Sequence, residues 1–144
     1  MLEFEFRRAN ENDAEALCPL LSELGYPTGA GVLRGRLRQV LSASGEAVFV
    51  AAGGGGLCGV AHVCVSARLL SEPDAEILAL VVAPAERRRG VATQLVNFCV
   101  EWACSRGRTR VRVRCNTKRT EAHRFYEKLG FRASKDQRVF ELGS

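Results

Sequence analysis

The run "AEILALVVAP", residues 75–84, constrains this chain more than any other stretch. It is almost entirely apolar and turns β-branched in its second half, which predicts a central strand covered on both faces and ended by Pro84. Directly behind it, "VATQLVNFCVEWACSRG" sets Val91, Leu95, Phe98, Cys99 and Trp102 at helical spacing and closes at Gly107. Between the strand and the helix stand Arg87, Arg88, Arg89 and Gly90. A buried strand that passes through a basic turn into an amphipathic helix calls for a layered domain of the α/β (α+β) class.

Periodicity supplies the other elements. "LEFEFR" alternates as a first strand, and Asn12 with Glu15 behind it resembles a capping box for a helix over "DAEALCPLLSEL", stopped by Gly25 and Pro27. A second helix, "GVLRGRLRQVL", carries Val32, Leu33, Leu37, Val40 and Leu41 as one buried stripe. "EAVFVAA" and "LCGVAHVCVSARLL" read as two strands joined by the glycines 53–56, a hairpin turn rather than a phosphate loop, since no Lys-Ser/Thr pair follows. "TRVRVRC" alternates arginine with apolar residues as a strand, "TEAHRFYEKLG" is a short helix, and "FRAS" and "RVFEL" form a last pair of strands. The predicted order is β-α-α-β-β-β-α-β-α-β-β.

A chain of 144 residues is one domain's worth, here residues 1–144. With 47% hydrophobic and 26% charged residues it can build a core, which excludes a disordered chain. Neither a signal-peptide pattern nor a run of membrane-spanning length occurs, so a cytoplasmic protein with no membrane partner is expected. Six cysteines and two histidines, His62 and His123, show no metal-ligand spacing. The cysteines read as small buried hydrophobes kept reduced, and no metal is expected.

Charge is unevenly placed. The net +5 splits into −4 over residues 1–80, with 6 basic and 10 acidic side chains, and +9 over residues 81–144, with 15 basic and 6 acidic. The second half therefore favours an anionic partner, polymeric or small. A basic turn at a helix start suits a phosphate, because the first helical N–H groups have no partners inside the helix and point outward at the positive end of its dipole. Gly90 admits close approach and Ala92 keeps the next turn slim. The competing readings are a solvated turn and a nucleic-acid surface built on Arg110, Arg112 and Arg114. Scarce aromatic residues, 7% of the chain, argue against the latter, so no nucleic acid is expected.

"VVAPAERRRGVATQL" resembles the central motif of the GNAT superfamily of acetyl-CoA-dependent N-acetyltransferases, R/Q-x-x-G-x-G/A, filled by Arg87, Gly90 and Ala92. Arg88 and Ala92 stand where glycine is frequent. "RTEAHRFYEKLGF" is similar to the family's later helix, with Ala122, Phe125, Tyr126, Gly130 and Phe131 in place. The resemblance implies a mixed central sheet of six to seven strands flanked by about four helices, with acetyl-CoA as cosubstrate between two strands that splay apart. Leu80, Val81 and Val82 would receive its pantetheine arm, and the N–H groups of Arg88, Arg89, Gly90, Val91, Ala92 and Thr93 its pyrophosphate. Arg119, where many members carry asparagine, or the nearby Asn116, would meet the cofactor. The implied reaction passes acetyl to a primary amine of a small molecule or peptide, with Glu76 as general base and Tyr126 as proton donor to the leaving sulfur. Glu76 is placed on the same strand face as Leu78 and Leu80. A backbone N–H near Val82 would stabilise the oxyanion, and His62 points into the acceptor cleft or the core. A CoA-binding sensor without turnover is the alternative, and a homodimer through exposed strands is compatible with the pattern.

Overall fold

Gly54 and Gly55 both take left-handed φ values, 60° and 84°, so the chain reverses within two residues. This turn pairs strand β2 (Glu46–Gly53) antiparallel with strand β3 (Gly56–Ser66). The computed structural model describes residues 4–114 and 119–143, which fall into two compact units, Met1–Val113 and Arg114–Ser144. In the first unit β1 (Glu5–Arg8) adds antiparallel to β2, and β4 (Asp74–Val82) adds antiparallel to β3. Strand β5 (Val111–Val113) adds parallel to β4, giving the order β1-β2-β3-β4-β5. Helices α1 (Ala14–Leu24) and α2 (Ala30–Ser42) precede β2, and α3 (Val91–Ser105) crosses from β4 to β5.

The sheet is covered on both faces over part of its length. Leu17 and Leu20 of α1 and Leu33 and Leu37 of α2 form one core with Val48, Val50, Val60 and Val81. The opposite face meets α3, where Phe98 stacks on Phe6 and meets Phe49 at a tilt, with ring centroids 5.6 Å apart in each case. At Gly59 α3 comes so close that a Cβ would stand 3.0 Å from Leu95 Cδ1 and 3.1 Å from Val91 Cγ1. Both neighbours are fully buried and have little room to yield. Gly59→Ala should therefore cost about 1–3 kcal/mol, read as a lower urea midpoint with an unchanged m-value.

The helices and first four strands stand where periodicity places them, with local differences. The capping box that opens the first helical segment uses Asn10 and Asp13 rather than Asn12 and Glu15. A 3-10 turn at Glu11–Asp13 precedes α1, and Asp13 is held by Arg7 at 2.8 Å. That pair draws the cap two residues toward β1, and the Arg7 hydrogen bond keeps the Asp13 carboxyl below its ordinary range. Val32 is exposed, so the α2 stripe narrows to Leu33 and Leu37, flanked by Val40 and Leu41. Strand β3 ends at Ser66, leaving Leu69 and Leu70 in an exposed turn.

The second unit holds helix α4 (Thr120–Lys128), whose Tyr126 ring meets Phe125 and Phe131 edge to face at 5.2 and 5.6 Å. The sheet has five strands among the described residues, not six to seven, because "FRAS" and "RVFEL" form no strands. Residues 132–143 are exposed throughout, including Val139, Phe140 and Leu142. Two segments this short bury too little on their own to hold a hairpin.

Candidate functional site

Strand β4 carries one extra residue in its middle. Val63 pairs with Ile77 and His62 with Ala79, so two steps on β4 answer one on β3. This bulge reverses the alternation of side chains beyond it. Before it, Asp74 and Glu76 share the α1/α2 face with their partners Ser66 and Cys64; after it, Ala79 and Val81 occupy that face. Glu76 therefore does not share a face with Leu80, contrary to the simple period-two expectation. Leu78, at the bulge, is 49% exposed, so β4 is covered on both faces only at its two ends.

The β4–β5 ladder stops at Ile77 and Val113, whereas β4 runs on to Val82. From Leu78 onward the β5 side of β4 has no strand partner among the described residues. The N–H of Ala75 points to β5, bonding the Arg110 carbonyl at 3.0 Å, and that of Ala83 points to β3, bonding the Cys58 carbonyl at 2.7 Å. Alternation between these two anchors, with the bulge counted, directs the backbone groups of Leu80 and Val82 to the open edge. An extended ligand arm can pair there as a strand would.

Beyond Val82 the chain enters a 3-10 turn at Pro84–Glu86 and then the arginine triplet. Arg88 has φ 67°, the one positive value on a non-glycine residue among those described, and Gly90 follows at φ 82° as the N-cap of α3. Left-handed backbone at these positions turns successive N–H groups toward one concavity, and the N–H groups of Val91, Ala92 and Thr93 begin a helix that gives them no acceptors. A Cβ built on Gly90 would meet nothing within 4 Å. The space is open to a ligand, and the residues present fit a pyrophosphate held by backbone. Two side chains of the triplet are engaged locally: Arg87 pairs with Glu23 of α1 at 3.3 Å, and Arg89 pairs with Glu86 at 2.8 Å and covers the Phe4 ring. Arg88 is exposed and forms no ion pair among the described residues.

The α1/α2 face is polar beyond the reach of the two helices. Across it run Glu46, Cys64, Glu76 and Arg112, each opposite the next. Glu76 is 7% exposed and takes a hydrogen bond from Arg68 at 3.4 Å; Asp74, fully buried, takes one from the same guanidinium at 3.2 Å. Arg112 reaches Asp74 at 3.7 Å. Glu76 is thus a buried, ion-paired carboxylate rather than an exposed strand end, and one arginine of the supposed nucleic-acid stripe is spent inside the fold. His62 Nε2 lies 2.6 Å from Glu46 Oε1. Burial and then the carboxylates of Glu46 and Glu76 push the Cys64 thiol up, while burial pushes Cys99 up to about 12. Neither is a ready thiolate. Cys104 departs from the buried pattern and is exposed.

In the second unit Tyr126 and His123 are half-buried on α4, and Arg119 is exposed at its N-cap. Asn116 lies outside the described residues. The first unit therefore brings together Glu76, Leu80, Val81, Val82 and residues 87–93 along one strand-turn-helix path. His62, which sequence directs to the acceptor cleft or the core, stands on the polar α1/α2 face paired with Glu46, and Arg68, Asp74 and Glu46 join it there unannounced by sequence. Their signal is only an alternation of polar residues in "HVCVSAR", which becomes informative once the hairpin register is known.

Comparison with known proteins bears on this geometry. The profile described as the Acetyltransferase (GNAT) family matches residues 14–131. No curated protein matches the chain by sequence. Among solved structures, AAC(6')-Iy in complex with the bisubstrate analogue CoA-S-monomethyl-acetylneamine is similar with TM-score 0.86 at 20% identity, covering 99% of this chain and 100% of that one. An aminoglycoside 6'-N-acetyltransferase from Acinetobacter haemolyticus gives 0.83 at 19% identity, with 97% and 99% covered. An acetyltransferase from Trypanosoma brucei gives 0.81 at 26% identity, with 96% and 99% covered.

Proposed function

The chain belongs to the Acetyltransferase (GNAT) family, whose acetyl donor is acetyl-CoA, and on that premise we propose that it transfers the acetyl group to a primary amine of a small molecule or peptide. The observation that carries this reading is the opening of β4 at its bulge, leading without interruption into the left-handed turn at the start of α3. The family match runs through both units to residue 131, which supports one catalytic domain over residues 1–144. Free cysteines fit a reducing, cytoplasmic setting. No helix among the described residues is long and apolar enough to cross a membrane.

In this reading Leu80, Val81 and Val82 bind the pantetheine arm along the open edge, and Arg88 to Thr93 hold the pyrophosphate by their N–H groups. The family resemblance assigns a further cofactor contact to Arg119 or Asn116. The bound cosubstrate supplies an acyl thioester. The N–H of Val82 or Leu80 faces the charge that develops on the acetyl oxygen as the amine attacks. An alkylamine holds its proton to about pH 10.4 in water, so a base must take it. Glu76 is the carboxylate that the family resemblance assigns to that task, and Tyr126 the phenol that donates a proton to the departing sulfur. Aminoglycosides, named for the similar enzyme from Acinetobacter haemolyticus, are one class of amine to test first.

Thiol release from acetyl-CoA, followed across a panel of aminoglycosides, polyamines and lysine peptides, checks the proposal. Turnover with at least one amine, absent without it, is expected. A protein that neither releases thiol nor gains thermal stability in saturating acetyl-CoA would refute it. At a hundred times the dissociation constant the expected stabilisation is about 2.7 kcal/mol.

A further inference from the structure

We propose that His62, rather than Glu76, takes the proton of the acceptor amine, and that Glu46 positions it; the assignment rests on the acetyl transfer proposed above. His62 stands opposite Ala79, on the part of β3 that faces the bulge of β4. It therefore lies directly across β4 from the stretch whose β5 side is open. Its imidazole is 24% exposed, enough for a ligand to reach.

The contact with Glu46 sets the chemistry of the ring. An ionised carboxylate only accepts, so in the neutral imidazole the hydrogen on the 2.6 Å contact belongs to Nε2 and the lone pair belongs to Nδ1. A carboxylate on one ring nitrogen and a second nitrogen with no partner among the described residues make a general base held in one orientation. Glu46 is itself held on β2 opposite Cys64, two residues along β3 from His62.

Glu76 is less suited to receive a proton. It is buried, its Oε1 is bonded to Arg68, and the same arginine ties it to Asp74. Its role on this face is a standing negative charge that favours a cation nearby, whether ammonium or imidazolium. Charged groups on β5, α1 and α2 have partners of their own. Arg112 of β5 reaches Asp74, and from α1 Glu15 and Glu23 pair with Arg34 at 4.0 Å and Arg87 at 3.3 Å. Arg38 of α2 pairs with Glu11 at 2.9 Å, and Arg36 is exposed. Cys64 keeps its proton at neutral pH.

The step balances without any further reactant. The ammonium R–NH3+ gives one proton to Nδ1 of His62 and becomes R–NH2. The nitrogen lone pair forms the C–N bond to the acetyl carbon, the C–S bond breaks with its electron pair on sulfur, sulfur takes the phenolic proton of Tyr126, and the second amine proton restores the phenol. His62 then returns its proton to water, so amide, thiol and one proton leave.

The test uses the full chain with spermidine, kanamycin and a lysine peptide as acceptors. His62→Gln, which keeps a donor toward Glu46, should lower kcat about 10²-fold. It should also leave acetyl-CoA affinity within about twofold and flatten the acid limb of the kcat/KM profile. Glu46→Gln should lower kcat less and move that limb, and His62→Gly should regain turnover with added imidazole. A His62→Gln protein that keeps kcat within about threefold of the parent, acid limb included, overturns the assignment. So does loss of the limb in Glu76→Gln alone. Long-range proton-nitrogen NMR of the free protein reads the geometry independently of any acceptor: neutral His62 should be protonated at Nε2, and protonation at Nδ1 overturns the assignment. If the parent releases no thiol and gains no stability in saturating acetyl-CoA while the Nε2 tautomer is present, it is the acetyl-transfer reading that has failed.

Discussion

Gly90→Val should weaken acetyl-CoA binding by about 30-fold or more, whereas Arg88→Ala should weaken it by no more than about threefold. The asymmetry follows from which part of the turn does the holding. Gly90 sits at φ 82°, where a β-branched residue is strained by about 1–2 kcal/mol, and a Cβ there would meet no residue beyond its chain neighbours within 4 Å among those described. A valine there does not disturb the core. It moves the α3 N-terminus out of its cradle geometry and fills the approach that a phosphate needs. Arg88 contributes an exposed charge that water and salt screen, and its left-handed φ of 67° already carries strain that the alanine variant keeps. Calorimetric titration of the parent and both variants decides the order. Greater loss in Arg88→Ala would mean that side-chain charge, not backbone, binds the anion.

Tyr126→Phe should lower kcat by about 10²–10³-fold while acetyl-CoA affinity stays within about twofold. The substitution removes one oxygen and leaves the edge-to-face contacts with Phe125 and Phe131 intact, so α4 should keep its packing. Thiol release under saturating amine is the measurement, with a melting curve to confirm an unchanged fold. Full turnover in this variant would remove the phenol from the proton path.

Much of the fold was legible from spacing alone. The helix stripe at Leu33 and Leu37, the glycine hairpin and the strand-turn-helix path from Ile77 through Gly90 to Leu95 rest on local periodicity and turn chemistry, and all three formed. The extra residue in β4 was not legible, because a bulge belongs to the register between two strands rather than to either one. That single residue decides that Glu76 faces with Ala79 and Val81, and that Leu80 and Val82 turn their backbone outward. The burial of Glu76 was hidden for a similar reason. Its partner Arg68 lies in a turn with no periodic signal, and Asp74 joins them only when β4 pairs with β3. The last two strands were overread: "RVFEL" has the composition of a strand, but composition does not provide a neighbour to bond. The motif residues at the turn were the most visible part of the candidate site, since the backbone role proposed for them depends on sequence-local conformation.

Backbone amide shifts on titration with coenzyme A test the central claim most directly. The cradle predicts that the largest changes fall on Arg88 to Thr93, at the left-handed turn and the start of α3, with a second group at Leu80 and Val82 on the open edge of β4. Shifts confined to Arg110 and other exposed arginines away from that path, or none at saturating ligand, would contradict it.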